Sequence, residues 1–437
     1  MTLPVEAGTA RLGGVLALGG LPLDRLFDGL TRLEPFAGGA YVYDLDAVAA
    51  HAREYMRALA PVRPFAAYAL KANGLPALLE RLEREGFGAD AGSLGELALA
   101  AAAGFPGERT LLNGNARDAA EAEWAVTRGL RLVNADLVDE LDLLDRTAAR
   151  HGRRLRVALR VNPGIETPGH RHVATGDDAA KFGIAPADAL AVWSNPSRWP
   201  HLTLDGLHVH VGSQILDPAP LWRALEEALA LVDEAARRGG RIGLVNMGGG
   251  LGVDYATGRA FPLEAYAAHV TAAAAGRTLE WVFEPGRWLV AQAGVLIARV
   301  RWVKRRGARR FVVLGAGMND FLRPALYGAV HRVVAVAPRP GAPEPATVVG
   351  PVCESADVFA RDVPLPPLEP GDLVAILDTG AYGAVMASNY NGRGRLAEVV
   401  IEEGRARRAR AGEKPDHLLA RRGEDPIDLP ETKRAGE

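Results

Sequence analysis

The chain has 437 residues, of which 48% are apolar and 24% charged, and a formal net charge of -2. That is enough apolar material for a large core spread over two domains, or three, and so even a charge balance leaves no footprint for nucleic acid or a membrane surface. The single cysteine, Cys353, excludes an intrachain disulfide and points to a reducing, cytoplasmic setting.

The opening stretch, MTLPVEAGTARLGG, has no basic start followed by an apolar run, which argues against a signal peptide. No apolar run reaches the roughly 20 residues that span a membrane. Residues 1–40 read as a segment that joins a β domain. From about Tyr41, short apolar runs alternate with longer amphipathic ones. The short runs are read as strands at Pro64–Leu70, Phe87–Asp90, Thr110–Asn113, Arg131–Asn134, Arg156–Asn162, Leu204–Val211, Gly243–Met247 and Leu279–Glu284. Helical patterns separate most of them, most clearly at Pro76–Gly86 and Leu221–Gly240. Repeated strand–helix units imply a parallel sheet, and this number over this length fits a (β/α)8 barrel of the α/β class across residues 41–290.

After Gly294 the runs VLIARVRWVKRR, RRFVVLGAG, ATVVGPVC and DLVAILD are bounded by Gly and Pro without long helices between them. Residues 291–437 therefore read as a second, mostly antiparallel β domain with a polar, frayed end.

A barrel gathers its chemistry at the carboxyl ends of its strands. Those ends carry Lys71, Asp90, Asn113, Asn134, Arg160 with Asn162, His208 with His210, Gly248 to Gly250, and Glu284 with Arg287 close behind. Lys71 at the end of an apolar strand fits a surface lysine, or a Schiff-base lysine whose pKa apolar walls and nearby cations lower. MGGGLG, ahead of a helix-like segment, is a tight turn or an anion cradle of backbone N–H groups, with the Ser213 hydroxyl able to join it. Glu284 in EPGR is a surface ion-pair carboxylate or the partner of a pyridine nitrogen. In HVHVGS one histidine is expected to face the barrel mouth and the other to point away. His210 is then the one to stack on a flat ring, and His208 the one satisfied in the core. In GPVCES the thiol of Cys353 is a small buried filler, or an acid or nucleophile beside Glu354. GAYG offers the Tyr382 hydroxyl to a phosphate.

Taken in order, YALKAN, HVHVGSQ, NMGGGLG, EPGRWLV, AGMNDFLRPALY, GPVCESAD and GAYGAVMASNYN resemble diaminopimelate decarboxylases, the fold-type-III pyridoxal-phosphate enzymes related to ornithine and arginine decarboxylases. The resemblance runs from about Tyr41 to Asn391. It implies a barrel plus a β domain, pyridoxal 5'-phosphate as cofactor, an amino-acid substrate, and a head-to-tail homodimer with shared sites. It implies that Lys71 holds the cofactor, His210 stacks on its ring and Glu284 binds the ring nitrogen, with Asp90 among the cofactor-binding positions. Ser213, Gly248, Gly249, Gly250 and Tyr382 would hold the phosphate. Arg287, Arg323 and Tyr327 would grip the substrate's far carboxylate, and Glu354 its far amino group. Cys353 and Glu354 would come from the partner subunit, and either Cys353 or Lys71 would return the proton after CO2 leaves. The implied reaction converts meso-2,6-diaminopimelate to L-lysine.

Three positions depart from the pattern: Gly315 replaces an acidic residue, Val209 a cysteine and Ala180 a serine. Other readings keep the fold: a decarboxylase of another carboxylate-bearing amino acid or of a siderophore or antibiotic precursor, a non-catalytic cofactor carrier, or a racemase. The β domain argues against the carrier. Glu284 argues against the racemase, which places an arginine at the ring nitrogen.

Overall fold

The computed structural model describes residues 9–34, 37–165 and 182–420. Ala180 and the polar C-terminal end lie outside them.

Eight parallel strands close into a barrel in chain order: Phe65–Ala69, Gly88–Ala91, Thr110–Leu112, Leu132–Ala135, Leu155–Arg160, Leu202–His208, Leu244–Asn246 and Glu280–Phe283. The eighth pairs back onto the first through Val282–Phe65 and Phe283–Ala66. Side chains from alternate strands, among them Ala67, Leu111, Ala158 and Leu244, fill the interior, so the barrel is packed and not a pore. Below that layer Arg156 bridges Asp205 (2.8 Å) and Glu280 (2.6 Å), with Arg131 also on Glu280. The amino-terminal floor is thus closed by ion pairs, and the polar groups of the carboxyl ends are left to face the mouth.

Local chemistry starts the outer helices. Asp44 accepts from the backbone N–H groups of Asp46 and Ala47 and caps helix Leu45–Leu59; Ser93 and Asp118 cap Leu94–Ala102 and Ala119–Arg128 in the same way. Each helix turns an apolar stripe toward the strands, as Leu78, Leu79 and Leu82 do in Pro76–Arg84.

The second unit is a nine-stranded, mostly antiparallel sheet built around the long strand Gly294–Arg306. That strand pairs with Arg309–Leu314 along its outer half and with Gly39–Asp44 and Leu373–Ile376 along its inner half. Strand Gly39–Asp44 therefore belongs to the sheet, and the chain enters the barrel at Leu45, later than the sequence pattern placed it. The N-terminal segment folds as strands Thr9–Leu12, Val15–Leu18 and Leu21–Pro22 followed by helix Leu23–Leu33. Leu16, Leu23, Phe27 and Leu30 bury against Val42, Ile297 and Val399, so this segment covers the sheet's outer face with a core of its own.

Gly315 has a steric cause. A Cβ there would sit 2.4 Å from the Gly38 carbonyl oxygen, and one on Gly38 would sit 2.4 Å from that of Gly315. Two backbones touch at this point, and an acidic side chain has no room. Val209 is buried, its N–H donating to the Asn246 carbonyl.

Candidate active site

The strand ends converge on one cavity. Lys71, His210, Ser213, Gly250, Glu284, Arg287, Arg323, Tyr327 and Tyr382 all line it. Lys71 rises from a short turn after the first strand. Its side chain is accessible to solvent yet ringed by protein, as a group on a cavity floor is. Burial lowers its pKa, but Asp90, Tyr382 and Glu284 outweigh burial and leave it above the ordinary lysine value. The expected lowering therefore does not hold: facing carboxylates, not cations, dominate around the amine.

Glu284 is 5% exposed and follows the eighth strand. Its Oε1 accepts from three side-chain amides, Asn113 Nδ2 (2.9 Å), Asn134 Nδ2 (3.0 Å) and Asn246 Nδ2 (2.7 Å). His208 Nε2 stands 3.5 Å from Oε2. Burial pushes Glu284 toward protonation, but His208 and the amides prevail and hold it well below the carboxylate range. Asp90, bonded to Asn113 at 2.5 Å, goes the other way: burial and the Glu284 charge raise it well above its ordinary value. It sits behind the cavity wall, 3% exposed.

Both histidines turn toward the site. Residues two apart share one face of a strand, so His208 meets Glu284 and His210 lines the cavity. The expected split between them is corrected. His210 Nδ1 accepts from the Gly249 N–H (3.2 Å). Burial and the Lys71 cation hold its pKa well below the ordinary histidine value, so its ring is neutral.

The glycine run is needed for close approach. A Cβ on Gly249 would lie 2.3 Å from the Glu284 carbonyl oxygen, and Gly250 takes φ +105 with Gly212 O 2.6 Å from its would-be Cβ. The Gly248 N–H is used by Asn246 Oδ1 (2.9 Å) and that of Gly249 by His210, so Gly250 is the glycine of the three that lines the cavity. A short hairpin, Val253–Asp254 with Arg259–Ala260, follows the turn in place of the expected helix.

Arg287 and Arg323 are 6% and 5% exposed and pair with no carboxylate among the described residues. Arg287 donates to Tyr255 Oη (2.6 Å) and Ser213 Oγ (2.9 Å), and lies 4.5 Å from the Tyr382 ring centre. Arg323 faces the rings of Tyr255 (4.9 Å) and Tyr327 (5.6 Å). Tyr382 is held at φ +56, its N–H on the Ala72 carbonyl at 2.7 Å, which ties the β-domain loop to the lysine turn. Two buried cations without an acid describe a cavity built to take anions.

These groups fit pyridoxal phosphate: an amine for the aldehyde, an ionised carboxylate for the ring nitrogen, a neutral imidazole beside the ring, and hydroxyl, backbone and guanidinium groups for the phosphate. Cys353 and Glu354 are not in this cavity. They are exposed on the loop between strands Glu344–Val349 and Val358–Leu365, which the Asp357 carboxylate pins by accepting from the Met318 and Val352 N–H groups, both at 2.7 Å.

Residues 45–291 match the family model for the pyridoxal-dependent decarboxylase, pyridoxal binding domain. The diaminopimelate decarboxylase of Neisseria meningitidis serogroup A is 40% identical over 387 residues, 89% of this chain and 95% of the relative. The chain belongs to the diaminopimelate decarboxylase family. It is a pyridoxal-phosphate-dependent carboxy-lyase of fold type III, as the motif order implied. The diaminopimelate decarboxylase of Archaeoglobus fulgidus is 41% identical over 342 residues, covering 76% of this chain and 81% of its own. The solved diaminopimelate decarboxylase of Helicobacter pylori, complexed with L-lysine, superposes with TM-score 0.84 at 36% identity over 87% of this chain and 96% of that one. The M. jannaschii enzyme, also with L-lysine, gives 0.88 at 31% over 96% and 98%.

Sequence reasoning missed the amide cage of Asn246, Asn113 and Asn134 and the contact of His208 with Glu284. It also missed Tyr255, which carries Arg287 and Arg323 and stacks at 4.1 Å on buried His331. The polar strand ends had exposed two of the three asparagines, but no motif ties them to Glu284.

Proposed function

We propose that this chain removes the carboxylate from the D-configured centre of meso-2,6-diaminopimelate, yielding CO2 and L-lysine, the last step of lysine biosynthesis. The observation that carries this is the pair of buried guanidiniums, Arg287 and Arg323, in one cavity with Lys71 and Glu284 and without a carboxylate partner among the described residues.

Bound pyridoxal phosphate supplies an aldehyde for the substrate amine and a ring that takes up the electron pair left by CO2. Lys71 would hold it through its amine. Glu284, held ionised, would keep a proton on the ring nitrogen. Ser213, Gly250 and Tyr382 would take the phosphate, with Arg287 adjoining through Ser213 and with Gly248 and Gly249 shaping the turn behind it. His210, which lines the same cavity, would flank the ring. Arg323 and Tyr327, with Arg287 adjoining, take the distal carboxylate, which simple diamine-forming decarboxylases do not need to bind.

The Cα–carboxylate bond breaks and a proton must then reach Cα. Cys353 of the partner subunit is our choice of donor, with Glu354 of the partner subunit at the distal amino group. Support comes from the exposure of Cys353 and Glu354 on a pinned loop and from the apolar surface of Leu326, Val330 and Val385 beside Tyr327 and Tyr382. A head-to-tail homodimer would cover both. One lone cysteine also suits a cytoplasmic enzyme.

CO2 release from a panel of amino acids tests the reading. We expect turnover of meso-diaminopimelate, a yellow protein, and a pyridoxyl adduct on Lys71 after borohydride. Turnover of ornithine or lysine in its place would reject the substrate, and a colourless, cofactor-supplemented protein would reject the chemistry.

A further inference from the structure

Oε1 of Glu284 accepts three amide N–H donors, and they come from the ends of three different barrel strands. Their orientations are fixed by neighbours. Asn246 Oδ1 accepts the Gly248 N–H, which can only donate, so Nδ2 must face Glu284. Asn113 Oδ1 accepts from Asn134 Nδ2 at 2.8 Å, so the Asn113 amide turns its N–H groups to Asp90 and Glu284. Asn134 leaves its own Oδ1 buried without a hydrogen-bond partner among the described residues. That orientation gives up a partner for Oδ1 so that Nδ2 can donate to both Asn113 Oδ1 and Glu284 Oε1. Oε2 has no such donors: His208 Nε2, at 3.5 Å, is beyond a good hydrogen bond.

We infer that Asn113, Asn134 and Asn246 are positioning residues that commit one oxygen of Glu284 to the protein, keep the carboxylate charged, and leave its other oxygen for the cofactor's ring nitrogen. Asn246 does more, since the same amide holds the Gly248 turn and so joins the ring-nitrogen end of the site to its phosphate end in one rigid piece. The inference rests on the decarboxylase reading above.

The charge environment agrees. Glu284 is faced by His208 and His210 from the sixth strand and its end, Asp90 from the second, Lys71 from the first, Arg160 from the fifth and Tyr55 from helix Leu45–Leu59. Burial and the Glu284 charge push Asp90 up, while His208 first, and then the Asn113 and Asn246 amides, push Glu284 down. Two buried carboxylates that share one bridging amide are thus shifted in opposite directions, and the groups facing each of them set the sign.

The test is a pH titration of the visible band of cofactor-loaded protein, alongside kcat and KM against pH. Wild type should hold its band below the ordinary glutamate value of about 4.3. Asn246→Ala and Asn134→Ala should each move the band's acid transition, and the acid limb of kcat, up by about one pH unit, with KM for the amino acid little changed. Variants that bind less cofactor or melt earlier but keep the wild-type transition would overturn the inference, because a merely structural role predicts that result. A wild-type transition at about 4.3 would overturn it too, whether or not the variants fold. Failure of wild type to turn yellow or release CO2 would instead sink the decarboxylase reading.

Discussion

Arg323 shows how a single side chain sets what the cavity accepts. Burial and the Arg287 charge both lower its pKa, and its neighbours are tyrosine rings in place of an acid. A guanidinium kept in that state gains most when an anion arrives. Arg323→Ala should raise KM for meso-diaminopimelate and leave kcat less affected. Loss of a charged hydrogen bond is worth about 1.5–3 kcal/mol, roughly 10- to 150-fold in kcat/KM. Arg323→Lys should recover only part, since an ammonium does not reproduce the planar fork. Steady-state kinetics on the purified variants decide it, and an unchanged KM would remove Arg323 from the distal site. At this scale much was legible: Lys71, Glu284 and the arginines stand out because polar residues at the ends of apolar runs demand a reason. The Lys71 shift was not legible, because its sign depends on Asp90 and Glu284, which are distant in sequence and adjacent only in the closed barrel.

Individual elements were legible to different degrees. Strands of a parallel barrel are buried on both faces, so they read as short unbroken apolar runs, and all eight can be placed from composition alone. In the second unit the runs after Gly294 mark strands Gly294–Arg306, Arg309–Leu314, Glu344–Val349 and Leu373–Ile376, but not the full sheet or its pairing. Its strand Gly39–Asp44 lies between Gly294–Arg306 and Ala397–Glu402, partners supplied by remote parts of the chain. The helices carry a load that sequence did not announce. Arg117, with a fully buried side chain, bonds Glu140 Oε2 at 2.5 Å and reaches the carbonyls of Leu112 and Asn134. It ties helix Asp139–Arg150 to the third and fourth strand ends, where two of the asparagines around Glu284 stand. Removing one partner of a buried ion pair strands the other charge. Arg117→Leu should therefore cost about 3–5 kcal/mol of unfolding free energy, and adding Glu140→Leu should restore most of it. Urea unfolding followed by tryptophan fluorescence measures both. Equal stability of the single and double variants would show that the pair does not act as a unit.

For the whole molecule, Cys353 does not line the cavity of its own chain, and that carries a consequence. If two copies exchange loops, each active site draws Lys71 from one chain and Cys353 from its partner. A Lys71→Ala chain and a Cys353→Ala chain are then each defective as homodimers, for different reasons. Mixed under conditions that let subunits exchange, half of the dimers become heterodimers at random. In each heterodimer one site collects both defects and the other is intact. Activity should rise to about a quarter of wild type in an equal mixture. A chain that used its own Cys353 would give no rise, since every site would keep one lesion however the chains were paired. Sedimentation of the same mixture reports whether dimers formed. The activity regained per heterodimer then separates a partner that donates a residue from one that only covers the apolar rim of Leu326, Val330 and Val385.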